Sequence, residues 1–411
     1  MANTFKFGGA GKWAAKEGSV LAYNDENNNF KPLPFTFTRA STATRVNESG
    51  LIESVASGVP RIDFLDNADG HLLLEPSRTN IVPRSEDLDT GWSKLNVTIA
   101  NNETTSPDGN VSAGLVTVTS TSGAHADYDT FTTSTTPSVA HYISCFVKKS
   151  TTRYIRLVEG YSSATLNFDL DNGEIVSLSG GASNSILQDF GNGWYRIGFQ
   201  FTSNATGDLQ FALYLNNNSN SASYAGAGEA VYLWGAQIEL GSYATSYIPT
   251  SGAAVTRAAE VANNAGNSNI FSTTQGVLYF QASILSEDGI SKRLSVSDGT
   301  VNNRATIEFD ENSGRLRFFL SGSGTTSEAG NATGISKTDF VKIALRYNST
   351  DVVAFVNGVK YTPAATSVLP SAFNRLSFND GATGNPFYGK TKYVGYYNSS
   401  LSDSELIALT S

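Results

Sequence analysis

Glu308-Phe309-Asp310-Glu311 crowds three carboxylates into four positions. In a strand, alternate residues share a face, so Glu308 and Asp310 begin the pair that glycoside hydrolysis requires, one acid for the leaving oxygen and a second as base or nucleophile. The flanking apolar residues favour a plainer geometry. Ile307 and Phe309 turn inward, Glu308 turns outward, and Asp310 to Gly314 make a turn. Little else in the chain could do catalysis. His71, His125 and His141 are scattered with no second histidine at metal-ligand spacing, and no Gly-x-Ser-x-Gly elbow is present. The single cysteine, Cys145, excludes an intrachain disulfide or a cysteine zinc cluster, and with Ile143 and Val147 on its face it reads as a small core residue. No catalytic residue and no metal ligand are assigned.

Binding chemistry has more candidates. Sugars are held by aromatic faces against their C–H surfaces and by planar groups against their hydroxyls. In Trp194-Tyr-Arg-Ile-Gly-Phe-Gln-Phe201 the apolar face is Tyr195, Ile197, Phe199 and Phe201, which leaves Trp194, Arg196 and Gln200 together on the other. That face is either a stacking platform or a surface covered by the N-terminal segment or a neighbouring subunit. Tyr393 and Tyr396, with Tyr397, form a second candidate surface. Asp169-Leu-Asp171-Asn-Gly173-Glu174 alternates hard oxygens, but it lacks the remaining ligands of a twelve-residue calcium loop, and a hairpin turn accounts for Asn-Gly. Calcium at a sandwich edge is compatible with the sequence, no residue can be assigned to it, and no other cofactor is implied.

The elements that position these residues are strands. Thirty-eight glycines, long Ser/Thr/Asn tracts and only 16% charged residues argue against helices, while 40% hydrophobic and 11% aromatic content can fill real cores. A net charge of −9 leaves no basic excess for nucleic acid, and no run approaches the roughly 18 apolar residues of a membrane span. The start lacks the apolar run of a signal peptide, so synthesis and residence in a cytoplasm are expected. Residues 1–30 read as an extended arm with isolated aromatics Phe5, Phe7, Trp13 and Tyr23, and residues 31–90 as a β-hairpin junction. Residues 91–255 show alternating strands, among them Leu209/Phe211/Leu213/Leu215 and Tyr232/Trp234/Ala236/Ile238/Leu240. Residues 256–270 read as a linker, and residues 271–411 as a second strand series with an Asn357-Gly358 two-residue hairpin. Ser402-Asp-Ser-Glu405 is a capping box that predicts one short C-terminal helix. The fold class is all-β: two tandem antiparallel β-sandwiches.

Three blocks carry a resemblance. Thr38-Arg-Ala-Ser-Thr-Ala-Thr-Arg-Val-Asn-Glu-Ser-Gly-Leu-Ile-Glu53, Pro60-Arg-Ile-Asp-Phe64 and Leu72-Leu-Leu-Glu-Pro-Ser-Arg-Thr-Asn80 resemble a segment that recurs in tailed-bacteriophage structural and fibre proteins. There it leads into a sandwich similar to a carbohydrate-binding module, here ending in Leu233-Trp-Gly-Ala-Gln-Ile-Glu-Leu-Gly241 and Thr245-Ser-Tyr-Ile-Pro-Thr250. Residues from Asp351 to Leu406 resemble the end of a concanavalin-A-like or laminin-G-like jelly roll. The resemblance implies a virion protein made in the bacterial host cytoplasm, attached to other virion proteins through the arm, trimeric by analogy with fibres, and able to contact a host-surface glycan. In concanavalin-like hydrolases the acid pattern closes at a position that here holds Asn312 or Ser313, so the second catalytic carboxylate is missing and no catalysis is expected. A stand-alone pair of carbohydrate-binding modules is the rival reading, and a glycan depolymerase a third. Arg39, Arg45, Arg61 and Arg78 could bind an anionic partner, but Glu53, Asp63 and Glu75 offer carboxylates for internal bracing.

Overall fold

The structure is a computed structural model that describes residues 5–9, 13–24, 29–132, 138–203, 208–361 and 368–411. The regular structure among its described residues is strands in antiparallel sheets, with one α-helix, Asp403–Thr410. The all-β sandwich class therefore holds. The division of the chain is different from a simple succession. One compact unit comprises Met1–Glu48, Val55–Pro76 and Ala258–Ser411, and the other Ser49–Ser54 and Ser77–Arg257.

The first unit packs a 12-stranded sheet against a 5-stranded one. Between them lies a core that includes Phe35, Phe280, Phe309, Phe318, Leu345 and Phe378. The segment read as an arm belongs to this core. Strand Phe5–Gly8 pairs with Gly389–Tyr397, placing Phe5 opposite Tyr396 and Phe7 opposite Val394. Both phenylalanines are buried, with the Phe7 ring 4.4 Å from that of Phe35. Trp13 packs against the same core. Tyr23 lies in strand Ser19–Asn24, and its side chain is outside the described residues. The alternation of Phe5 and Phe7 is too short to announce a strand, because its partner comes from the other end of the chain. The expected linker is also structured: Val261–Asn263 pairs with Asn29–Thr38, and Ala265 bridges Leu376.

The arginine-rich block braces this unit from within. Arg39, Arg61, Glu75 and Glu260 are all buried. Arg39 Nη1 donates to Glu260 Oε1 at 2.7 Å, and Arg61 Nε donates to the same oxygen at 2.8 Å. Arg61 Nη2 bridges Glu260 Oε2 and Glu75 Oε2, the latter at 2.8 Å. The Glu75 amide donates to Glu260 Oε2 at 2.9 Å. Remaining guanidinium protons go to backbone carbonyls, Arg39 to Ser41, Val59 and Ala56, and Arg61 to Thr44. Arg45 also donates to a carbonyl, that of Ile62, and Asp63 accepts the amides of Val46 and Leu65.

Local turn chemistry behaves as the residues dictate. Asn357 and Gly358 both take positive φ, 48° and 80°, between Val352–Val356 and Val359–Tyr361. Ser402 and Glu405 complete the capping box, and Leu401 and Leu406 seat the helix on Val277, Tyr279, Val353 and Phe355.

The second unit is a sandwich of two 6-stranded sheets. Ser93–Leu95, Ala126–Thr132, Asp208–Asn216, Tyr154–Glu159, Ala164–Asp169 and Glu174–Ser179 form one in that order. Val97–Thr105, Val111–Val118, Ala230–Leu240, Ala140–Lys149, Trp194–Thr202 and Ser183–Asp189 form the other. Its entry strand, Arg78–Asn80, pairs antiparallel with its exit strand, Val255–Arg257. One strand changes phase midway. Gly235 at φ 64° sits at a register shift against Ala140–Lys149, so Val231 and Leu233 face the core before it, and Ala236 and Ile238 after it. Trp234 consequently lies outside the core cluster, and Leu240 is exposed. A strict alternation cannot register an inserted residue.

Removing one member of a buried ion network strands the charges left behind. Glu260→Ala is expected to destabilise the first unit by about 3–5 kcal/mol, read from the urea unfolding midpoint. A loss below about 1 kcal/mol, the range of a surface pair, would mean that the network carries little of this unit's stability.

Candidate functional site

The face carrying Trp194 is closed. Ile197, Phe199 and Phe201 enter the core as the alternation requires, and Trp194 and Arg196 lie on the opposite face. There Trp194 is only 2% exposed, and its Nε1 donates to the Thr105 carbonyl at 2.9 Å. Arg196 is buried, donating to Ser144 Oγ at 3.2 Å with its guanidinium over the Phe146 ring, and Gln200 is half-buried. The cover comes from the same unit. Tyr247 packs on Trp234 at 4.6 Å and on Phe146 at 5.9 Å, while Phe190 meets Phe146 at 5.0 Å. Burying these amphipathic rings removes a large apolar area from water, which a stacking platform would have to leave exposed. Trp194 is therefore not available to a sugar.

The second tyrosine surface is largely closed too. Tyr396 is buried, its hydroxyl 2.7 Å from that of Tyr347, and Tyr397 lies under the terminal helix. Tyr393 is half-buried against Tyr279. The acidic motif is committed to ion pairs. Glu308 Oε1 accepts from Arg293 at 2.9 Å, and Arg317 lies 3.8 Å from its other oxygen. Asp310 pairs with Arg315 at 2.7 Å. Burial pushes the Asp310 carboxyl up, but hydrogen bonds from Asn312 and Arg315 outweigh it and hold the group below its ordinary value. In the Asp169 turn, Arg153 Nε and Nη2 donate to the carboxylate, as do the amides of Asp171 and Asn172 and the Asn172 side chain. Among the described residues no three His, Cys, Asp or Glu side chains gather around a metal position.

An open cleft of about 600 Å³ lies elsewhere in the second unit, lined by Arg84, Glu86, Asp87, Asn101, Asn102, Ser112 and the Thr250–Gly252 turn, with Thr90 at its rim. Three sequence blocks, Leu72–Asn80, Leu233–Gly241 and Thr245–Thr250, converge behind it. Asn80 Nδ2 donates to the carbonyls of Ala236 and Ile248, Ser85 and Thr250 exchange backbone-to-hydroxyl bonds, and Thr250 Oγ1 donates to the Val82 carbonyl. Trp234 Nε1 donates to Ser112 Oγ at 3.0 Å, and Tyr247 donates to Glu86 Oε1 at 2.9 Å. The buried aromatic layer thus fixes the cleft floor. Across it, strand Val97–Thr105 slips register between Ala100 and Thr104, and Asn102 takes φ 60°. Such a bulge re-aims side chains, here Asn101 and Asn102.

The cleft groups differ in how far they are committed. Asp87 Oδ1 accepts from the amides of Asp89 and Thr90 and from Asn101 Nδ2. Burial works against the Asp87 charge, but these bonds prevail and hold its carboxyl below the ordinary value. Burial raises the Glu86 carboxyl, the Tyr247 bond opposes this, and the charge of Asp108 adds to it, leaving a net upward shift. The Arg84 guanidinium makes no hydrogen bond among the described residues, although its charge reaches Asp129. These residues come from polar loops and a bulge with no period to read; the polar run Asn101-Asn102-Glu103 inside a strand was the available signal.

No family model and no curated protein matches the chain. Solved structures do. A CBM40 module of the Ruminococcus gnavus IT-sialidase bound to α2,3 sialyllactose is 20% identical at TM-score 0.29, covering 34% of this chain and 83% of its own. Domains LG4-5 of the mouse laminin α1 chain are 13% identical at TM-score 0.28, covering 69% and 88%. Trypanosoma rangeli sialidase is 11% identical at TM-score 0.27, covering 97% and 66%. At these values the likenesses assign no ligand or activity to this chain.

One buried acid of the second unit should govern its pH response. Asp127 lies opposite Leu213 on the core-facing side of its strand, and neither carboxyl oxygen has a hydrogen-bond partner among the described residues. Burial pushes its carboxyl up to about 8, Lys94 opposing and Asp129 and Asp89 adding. Between about pH 4 and pH 8 the folded state therefore holds a proton that the unfolded chain has released, and stability falls as pH rises. The slope is about 1.4 kcal/mol per pH unit. Asp127→Asn removes this slope, so unfolding midpoints measured from pH 4 to pH 8 should flatten and rise at the upper end. An unchanged pH profile would show that Asp127 is ionised in the fold.

Proposed function

We propose that this chain is a non-catalytic glycan-binding protein of a tailed-phage particle, and that the Arg84 cleft is its sugar site. One observation carries the reading: a guanidinium without a hydrogen-bond partner among the described residues lines a cleft beside Glu86, Asn101 and Asn102. Planar donors and acceptors set at fixed angles are what polyhydroxylated ligands require, and the half-buried Arg84 presents its planar donor fork to the open cleft. The virion assignment is supported by the Thr38 to Asn80 blocks alone. Phe5 and Phe7 take no part in anchoring, since they fill the first unit's core. Attachment to other virion proteins, trimer formation and contact with a host-surface glycan complete the proposal.

Glycan-array binding of the full chain, repeated with Arg84→Ala, tests the site. Loss of charge-assisted hydrogen bonds should weaken binding about 10- to 100-fold. Unchanged binding by the variant would remove the cleft from the account. Mass spectrometry of purified particles tests the virion role, which fails if the chain is missing from them.

A further inference from the structure

We propose that the Arg84 cleft selects uncharged saccharides presenting neighbouring hydroxyls and discriminates against sugars that carry a carboxylate. The inference rests on the reading of this cleft as a glycan site and names the class of glycan. Among the described residues Arg84 is the lone lining cation, against the acids Glu86 and Asp87. Two more acids act on it from nearby: Asp108 is felt by Glu86, and Asp129 by Arg84. The cleft is therefore net negative, on a chain that is itself −9. A carboxylate ligand could pair with Arg84, but it would bring a third anion against two carboxylates to which it has no proton to donate. Like-charge juxtaposition of that kind is costly when partly desolvated.

Hydroxyls meet the same groups without conflict. The Arg84 fork only donates, and two parallel N–H groups can reach two adjacent oxygens. Glu86 and Asp87 only accept: Tyr247 donates to Glu86 Oε1, which leaves Oε2 without a hydrogen bond among the described residues, and the Asp87 carboxylate already takes the turn amides and the Thr90 side chain. Asn102 supplies both functions. A hydroxyl donates and accepts, so a ring carrying several of them can serve donor-only and acceptor-only partners at once. Among the described residues the lining contains no aromatic ring. Recognition is thus carried by hydrogen bonds, and the match of donors to acceptors decides it.

Calorimetric titration of the full chain with matched pairs tests this: a galactose-terminated oligosaccharide and its sialylated form, and a glucose oligomer and its uronate. The neutral member should bind at least about tenfold more tightly. Glu86→Gln, which keeps an acceptor for Tyr247 while removing one charge, should narrow that ratio. Equal or tighter binding of the acidic members, lost in Arg84→Ala, would overturn the selectivity while leaving the glycan site in place. A ratio unchanged by Glu86→Gln would overturn the electrostatic cause. Binding of neither member would overturn the glycan reading itself and this inference with it.

Discussion

Glu260 is the residue around which the jelly-roll unit closes. Its two oxygens accept from Arg39, Arg61 and the Glu75 amide, which gathers three separate stretches of chain at one buried point. Two arginines and two glutamates balance in charge, and backbone carbonyls satisfy the remaining donors, which is the condition under which a buried ion network is tolerable. The arrangement also explains the chain order. Glu75 and Glu260 flank the second unit in sequence, yet they are hydrogen-bonded to each other. A domain inserted at such a place needs its ends close together, and the pairing of Arg78–Asn80 with Val255–Arg257 keeps them so.

Much of the fold was legible because it is periodic. Alternation identified the inward face of Trp194–Thr202, the Asn357-Gly358 turn followed from positive φ, and the capping box marked the helix. Internal bracing of the arginine block was legible from its neighbouring acids, yet Glu260 was hidden in a stretch that reads as a linker. Pairing across the whole chain is what concealed it, as it concealed the strand role of Phe5 and Phe7. Gly235 shows a third limit: one inserted residue moved Trp234 to the other face.

The candidate site was the least legible part. Aromatic residues on a polar strand face suggested a platform, but a face opposite the core can be buried a second time, as Tyr247 and Phe190 bury this one. That second aromatic layer serves the cleft indirectly. Trp234 holds Ser112 and Tyr247 holds Glu86, so buried rings position polar groups that line the cleft.

A crystal structure of the full chain with a bound neutral oligosaccharide tests this account most directly. The account predicts sugar oxygens within hydrogen-bonding distance of the Arg84 guanidinium and the Asn102 amide. Sugar bound instead on the first unit, along the face that carries Arg293, Glu308 and Arg317, would contradict it.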